Sequence, residues 1–169
     1  MNQNSSAPTK EKIKMLKVSS PAFSFMSLIS PRYTCDGENV NPQMVIEDIP
    51  LETKSLAIIV EDPDAYGKTW VHWLVWNISP SATIKWSIPP IFTIKEDSAP
   101  GLEGKNDFGN IGYDGPAPPN GKHRYSFRVY ALDDTLELKR GSLKSDLVNE
   151  MDSHIIGFGE LVGVYGRVL

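Results

Sequence analysis

The sequence predicts a mainly β protein, an antiparallel β-sandwich or barrel with one helix near its C-terminus. Three observations carry this reading. Short runs of branched and aromatic residues recur along the chain and are bounded by turn formers. Glycine and proline number 13 each in 169 residues, which favours turns over long helices. Helical spacing occurs only once, late in the chain, so no helices separate the strands as parallel βαβ units require.

Taken in order, Gln43–Glu47 is a weak strand. Ser55–Glu61 (SLAIIVE) is apolar on both faces and suits a central strand covered on both sides. Val71–Ile78 (VHWLVWNI) is a second apolar strand. Strict alternation puts Val71, Trp73, Val75 and Asn77 on one face, and His72, Leu74, Trp76 and Ile78 on the other. Ile91–Lys95 is a further weak strand. Arg124–Leu132 aligns Tyr125, Phe127, Val129 and Ala131 on one face, with Arg124, Ser126, Arg128 and Tyr130 opposite. A helix of about ten to fourteen residues follows. Ser142 is its expected N-cap and Asp146 lies near its positive end, while Leu143, Leu147, Val148 and Met151 form its apolar face. Gly157 and Gly159 are expected to end the helix or turn the chain. Glu160–Val168 is the last strand, where Gly163 and Gly166 indicate a bulge or close backbone approach.

The length corresponds to one domain over 15–169, long enough to bury about 70% of its unfolded surface without disulfides. Residues 1–14 contain few large apolar side chains and are expected to form a flexible arm. Seventeen basic and 21 acidic residues leave a net charge of -4, which argues against a general nucleic-acid binder. Cys35 is the sole cysteine, so neither a disulfide framework nor a multi-cysteine zinc site is available. No apolar run reaches transmembrane length, and the first residues lack a signal-peptide core. A cytoplasmic protein is therefore expected. Trp70, Trp73 and Trp76 crowd one strand, with Trp86 close behind. Alternation cannot turn all of them inward, which predicts exposed aromatic surface and a homodimer.

Two segments stand out chemically. In Glu61-Asp62-Pro63-Asp64, Pro63 fixes its own φ and holds Asp62 extended, so the carboxylate is aimed rigidly; the same residues also suit a simple turn. Gly101–Gly121 holds six of the 13 glycines and runs directly into His123-Arg124-Tyr125. A long irregular stretch of this kind is either a binding loop that presents backbone amides or a stiff connection between sheets. His72 reads as a buried core histidine or a functional one, His123 lies where the loop enters a strand, and His154 caps carbonyls near the helix end. Two histidines with an aspartate could bind a metal or act as acid and base, and spacing does not decide between these. No P-loop, G-x-S-x-G elbow or H-E-x-x-H motif occurs.

Five pieces, in order, resemble the phosphatidylethanolamine-binding protein family, also called the Raf kinase inhibitor proteins. They are YTCDGENVNP, KSLAIIVEDPDA, TWVHWLVWNI, GKNDFGNIGYDGPAPPNGKHRYSFRVYALD and ELVGVYGR. They span roughly residues 16 to 168, and the CDG and NDFG pieces are similar to the bacterial and archaeal branch. The resemblance implies a Greek-key-like sandwich with a C-terminal helix and a small anion-binding pocket. Its lining would be Asp62, Pro63, Trp70, His72, Gly115, Pro116, His123 and Tyr125. Phosphate, phosphorylated head groups and carboxylates are the implied ligands. The chain departs from the family at Tyr66, where a proline is common, and at Ala117, where branch members often carry cysteine.

Three functions follow as expectations. The first is a binding protein for phosphorylated or carboxylated ligands, with no cofactor, no metal and no catalytic residue. The second is an inhibitor of a serine protease or protein kinase, and the third a hydrolase using Asp62, His72 and His123.

Overall fold

A computed structural model describes residues 12–80 and 91–167. The strands, in chain order, are β1 (Lys14–Met15), β2 (Lys17–Ser19), β3 (Met44–Glu47), β4 (Ser55–Asp62), β5 (Trp70–Ile78), β6 (Ile91–Ile94), β7 (Leu102–Glu103), β8 (Lys122–Leu132) and β9 (Ile155–Gly166). Helix α1 spans Lys144–Met151. The larger sheet has the order β1-β9-β8-β4-β5-β7 and the smaller β2-β3-β6. All pairings are antiparallel except β1 with β9.

Alternation explains the two cores. On β4, Leu56, Ile58 and Val60 face the smaller sheet and pack with Met44, Ile46 and Ile94; Ala57 and Ile59 face the other way, toward Leu147 and Met151 of α1. Every residue of β4 is buried, as a strand covered on both faces requires. On β8, Tyr125, Phe127, Val129 and Ala131 fill the core between the sheets, as their spacing predicts.

Strand β5 does not alternate strictly. Val60 pairs with Trp73 while Glu61 pairs with Val71, so His72 is an extra residue in the ladder. Such a bulge re-aims a side chain. His72 therefore leaves the face of Leu74 and Trp76, and its ring lies edge-on to Tyr125 at 5.3 Å. A second register shift between Leu56 and Ile58, where Asn77 has φ 55°, moves Ile78 into the inter-sheet core.

Several expectations need correction. Helix α1 has eight residues, starts after Leu143 and is not capped by Ser142, whose hydroxyl donates to the Lys139 carbonyl at 2.6 Å. Only Leu147 and Met151 of its expected apolar face are buried; Leu143 and Val148 are exposed. Gly157 and Gly159 lie inside β9 rather than at a helix end. A Cβ on Gly159 would sit 2.5 Å from the Leu16 carbonyl oxygen, so the glycine admits the chain that crosses β9. Of the tryptophans on which the homodimer was expected, Trp73 and Trp76 are fully buried, one in each core, Trp70 is half-buried, and Trp86 lies outside the described residues. Lys14, the last residue of the expected arm, pairs with β9, and residues 1–11 lie outside the described residues. No described helix is long and apolar enough to cross a membrane.

Candidate functional site

The end of β4, the start of β5, the start of β8 and the Gly/Pro loop enclose a cavity of about 270 Å³. Asp62, Trp70, His72 and His123 line it together with Ala65, Tyr66, Phe108, Ala117 and Pro119.

Asp62 ends β4 and is buried. Its Oδ1 accepts the Asp64 amide at 2.8 Å and its Oδ2 lies 2.6 Å from His123 Nδ1. A carboxylate only accepts, so Nδ1 of His123 carries the proton and donates. The DPD turn is anchored in its turn by Asp64, whose carboxylate accepts from the Arg124 backbone amide and guanidinium at 2.8–3.0 Å. Those bonds hold the Asp64 carboxyl at about 2, below the usual carboxylate range. Pro63 is exposed and lies outside the lining, so its contribution is the direction it gives Asp62.

His72 is buried and its Nδ1 donates to the Asp114 carbonyl at 2.7 Å. The Asp114 amide donates back to the His72 carbonyl at 3.1 Å, clamping bulge and loop together. Burial pushes the His72 imidazole below its ordinary range, opposed by the Asp114 and Gly115 backbone and by Asp62. Rings wall the site, with Phe108 edge-on to Trp70 at 5.5 Å and to His72 at 5.4 Å; Tyr125, expected in the lining, lies outside it in the inter-sheet core, stacked under His123 at 6.5 Å. The Trp70 indole Nε1–H is buried with no acceptor among the described residues. An indole nitrogen only donates, and an unpaired buried donor costs about 1–3 kcal/mol. The Tyr125 hydroxyl is likewise buried and unpaired, and burial raises its pKa well above the phenolic range.

Gly115 and Pro116 are near the cavity but do not line it. The Gly115 amide donates to Asn39 Oδ1 at 2.7 Å, and the Pro116 carbonyl accepts the Cys35 amide at 3.1 Å. A Cβ on Gly115 would stand 2.1 Å from the Tyr33 carbonyl oxygen. This glycine thus permits two chain segments to touch, and its amide is not presented to the cavity. The loop itself is stitched by side chains. Asn39, Asn106 and Asn110 donate to the Asp114 carboxylate at 2.7–3.1 Å, and Asp107 accepts the Val71 amide at 2.7 Å. Phe108, within NDFGN, was missed by motif reading, as were Ala65 and Pro119; the signal for Phe108 was a large apolar side chain in an otherwise polar, glycine-rich loop. His154 is apart from the cavity, paired with Asp133 at 2.8 Å. Among the described residues no group of three or more His, Cys, Asp or Glu is placed to hold a metal ion.

The chain is similar to proteins across archaea and bacteria. It is 44% identical over 147 residues to the UPF0098 protein of Methanothermobacter thermautotrophicus, covering 86% of this chain and 95% of the relative. It is 48% identical over 156 residues to a UPF0098 protein of Pyrococcus abyssi, covering 91% and 86%. The crystal structure of a phosphatidylethanolamine-binding protein homologue from Chlamydia trachomatis superposes with a TM-score of 0.81 at 37% identity, over 92% of this chain and 99% of that one. E. coli YbcL superposes with a TM-score of 0.78 at 26% identity, over 90% and 99%. The family model described as phosphatidylethanolamine-binding protein matches residues 19–166, and the chain belongs to that family.

Proposed function

We propose that this protein is a binding protein whose cavity takes a small oxyanion, the phosphate or carboxylate head of a larger ligand, without turning it over. The observation that carries the reading is that His72 and His123 line one cavity, with the Asp62 carboxylate on Nδ1 of His123. A protonated imidazole donates from its free ring nitrogen to an oxyanion. Asp62 holds Nδ1 of His123, which leaves Nε2 as that ring's only free polar atom. The apolar rim of Tyr66, Phe108, Ala117 and Pro119 suits the body of a ligand whose head is polar.

Binding without turnover is favoured because the lining has no serine, threonine, cysteine or lysine, and its Asp62 carboxylate and both histidine Nδ1 atoms are tied up in hydrogen bonds. The test is an NMR titration with phosphate, phosphoethanolamine and acetate, on wild type and His123→Ala, alongside an assay for phosphoester hydrolysis. Saturable shifts confined to the cavity, weakened in the variant and with no hydrolysis, support the proposal. Absence of binding by all three anions, or sustained hydrolysis abolished by His123→Ala, refutes it.

A further inference from the structure

The cavity is walled largely by rings. Five of its nine lining residues carry a planar ring: Tyr66, Trp70, His72, Phe108 and His123. Their surfaces offer little polarity. Trp70 Nε1–H is buried away from the accessible surface, so the indole shows the cavity only carbon. Phe108 stands edge-on to Trp70, at 73°, and to His72, at 66°. It is nonetheless 44% exposed, so part of its ring stays uncovered beside the cavity. Tyr66, on the rim, is fully exposed, and no hydrogen bond or ring contact holds its side chain among the described residues. An exposed side chain changes rotamer within nanoseconds, so this ring is free to turn onto a bound molecule. An aromatic wall also attracts cations, but here the chain supplies its own: Lys68 Nζ lies 5.6 Å over the Trp70 ring and 3.2 Å from Asp107 Oδ2. An ammonium group on the ligand would meet like charge at that face.

We propose that the cavity selects oxyanions borne on an aromatic ring: the anion meets His123, and the ligand's ring packs against Phe108 and Trp70 with Tyr66 closing over it. This selection rests on the oxyanion site proposed above and narrows its ligands by their body, where the site itself recognises their head. Covering Phe108 and Tyr66 removes exposed apolar surface from water, which any apolar body of the right size achieves. An aromatic body gains in addition the edge-to-face and offset contacts that rings make with one another. Ring character, rather than size, is therefore the deciding variable. A cavity of about 270 Å³ lies at the small end of ligand pockets and suits one ring with its head group.

Benzoate and cyclohexanecarboxylate test this at about pH 6.5, where both carry one ionised carboxylate and differ in ring character. Benzoate is expected to bind about two- to tenfold more tightly, the worth of an aromatic pair beyond its burial. Phe108→Leu and Tyr66→Leu each keep an apolar side chain and remove a ring, and the gap should shrink in one or both. Tyr66 is fully exposed, so its replacement is not expected to disturb folding. Proton NMR gives an independent readout: the methyl signals of Ala65 and Ala117, which line the cavity, should move in the ring current of bound benzoate and much less with cyclohexanecarboxylate. Equal affinity, tighter binding of cyclohexanecarboxylate, or a gap unchanged in both variants overturns the aromatic selection; acetate that still shifts the cavity signals then leaves the oxyanion site in place. If benzoate, cyclohexanecarboxylate and acetate all leave those signals unmoved, the selection and the oxyanion site fall together.

Discussion

Gly115→Ala is the substitution that most directly separates a glycine presenting its backbone to a ligand from one that lets two chain segments touch. A Cβ at this position would lie 2.1 Å from the Tyr33 carbonyl oxygen and 2.9 Å from Thr34 Cα, both backbone atoms. The loop must move by about 1 Å to relieve that contact. Overpacking of this kind costs about 1–3 kcal/mol. The displacement also disturbs the bond from the Gly115 amide to Asn39 and the bond from the Cys35 amide to the Pro116 carbonyl, each contributing about 1 kcal/mol. Together these give a loss of about 3–5 kcal/mol, or about 6–20 °C in Tm for a chain of this length. The assay is thermal unfolding by circular dichroism, with the His72 ring signals recorded at a temperature where the variant is folded. Those signals should move, because Asp114 is the residue before Gly115 and its carbonyl holds the ring. Gly159→Ala is the control. Its Cβ would meet the Leu16 carbonyl oxygen at 2.5 Å, opposite Val129 and about 20 Å along β8 from His123. It should destabilise without moving the His72 signals. A Gly115→Ala protein with wild-type Tm would refute the packing role.

Three further outcomes follow from the same geometry. Acetate binding should strengthen as pH falls from about 7.5 to 5, because a protonated ring turns Nε2 into a donor; burial places the His72 share of this gain below the ordinary imidazole range near 6.5, and an affinity flat across that window in an NMR titration would contradict it. Trp70→Phe should leave Tm unchanged or slightly raised, since it removes a buried donor that has no partner among the described residues; a melting curve checks this. Asp64 has a folded pKa of about 2 against 3.8 ordinarily, so its stabilising bond to Arg124 is fully present above about pH 4 and lost as pH falls toward 2. At this partly exposed pair the effect is below about 1 kcal/mol, and Asp64→Asn should flatten that part of the acid-unfolding profile.

Much of the fold was legible in the sequence because side-chain period and burial coincide. Ser55–Glu61 is apolar on both faces and became the fully buried β4, and the alternation of Tyr125, Phe127, Val129 and Ala131 became one wall of the core. Asp62, Trp70, His72 and His123 were also legible, because they sit in short motifs at strand ends that the sheet brings side by side. Illegible features depended on contacts remote in sequence. The bulge at His72 follows from how β4 and β5 pair, and no property of VHW announces it. Gly115 and Gly159 could be placed only once the segments crossing them, Tyr33–Thr34 and Leu16, were known. Ser142 has the chemistry of a helix cap, yet its hydroxyl found the Lys139 carbonyl, and the Asp146 carboxylate accepts the Leu143 amide at 3.1 Å instead. Trp73 and Trp76 are both buried for a related reason. A strand with a sheet on one side and a helix on the other buries both of its faces, so alternation does not imply exposure.

The central claim is that the cavity among Asp62, Trp70, His72 and His123 is where an oxyanion binds. The most direct test follows the four tryptophan indole N–H signals by nitrogen–proton correlation while phosphate is added, with the Trp70 signal assigned from Trp70→Phe. The account expects the Trp70 signal to move saturably, because its ring lines the cavity, while those of Trp73 and Trp76, bonded to Glu103 and to the Leu138 carbonyl, stay in place. A Trp70 signal that remains fixed while phosphate saturates resonances elsewhere would contradict it.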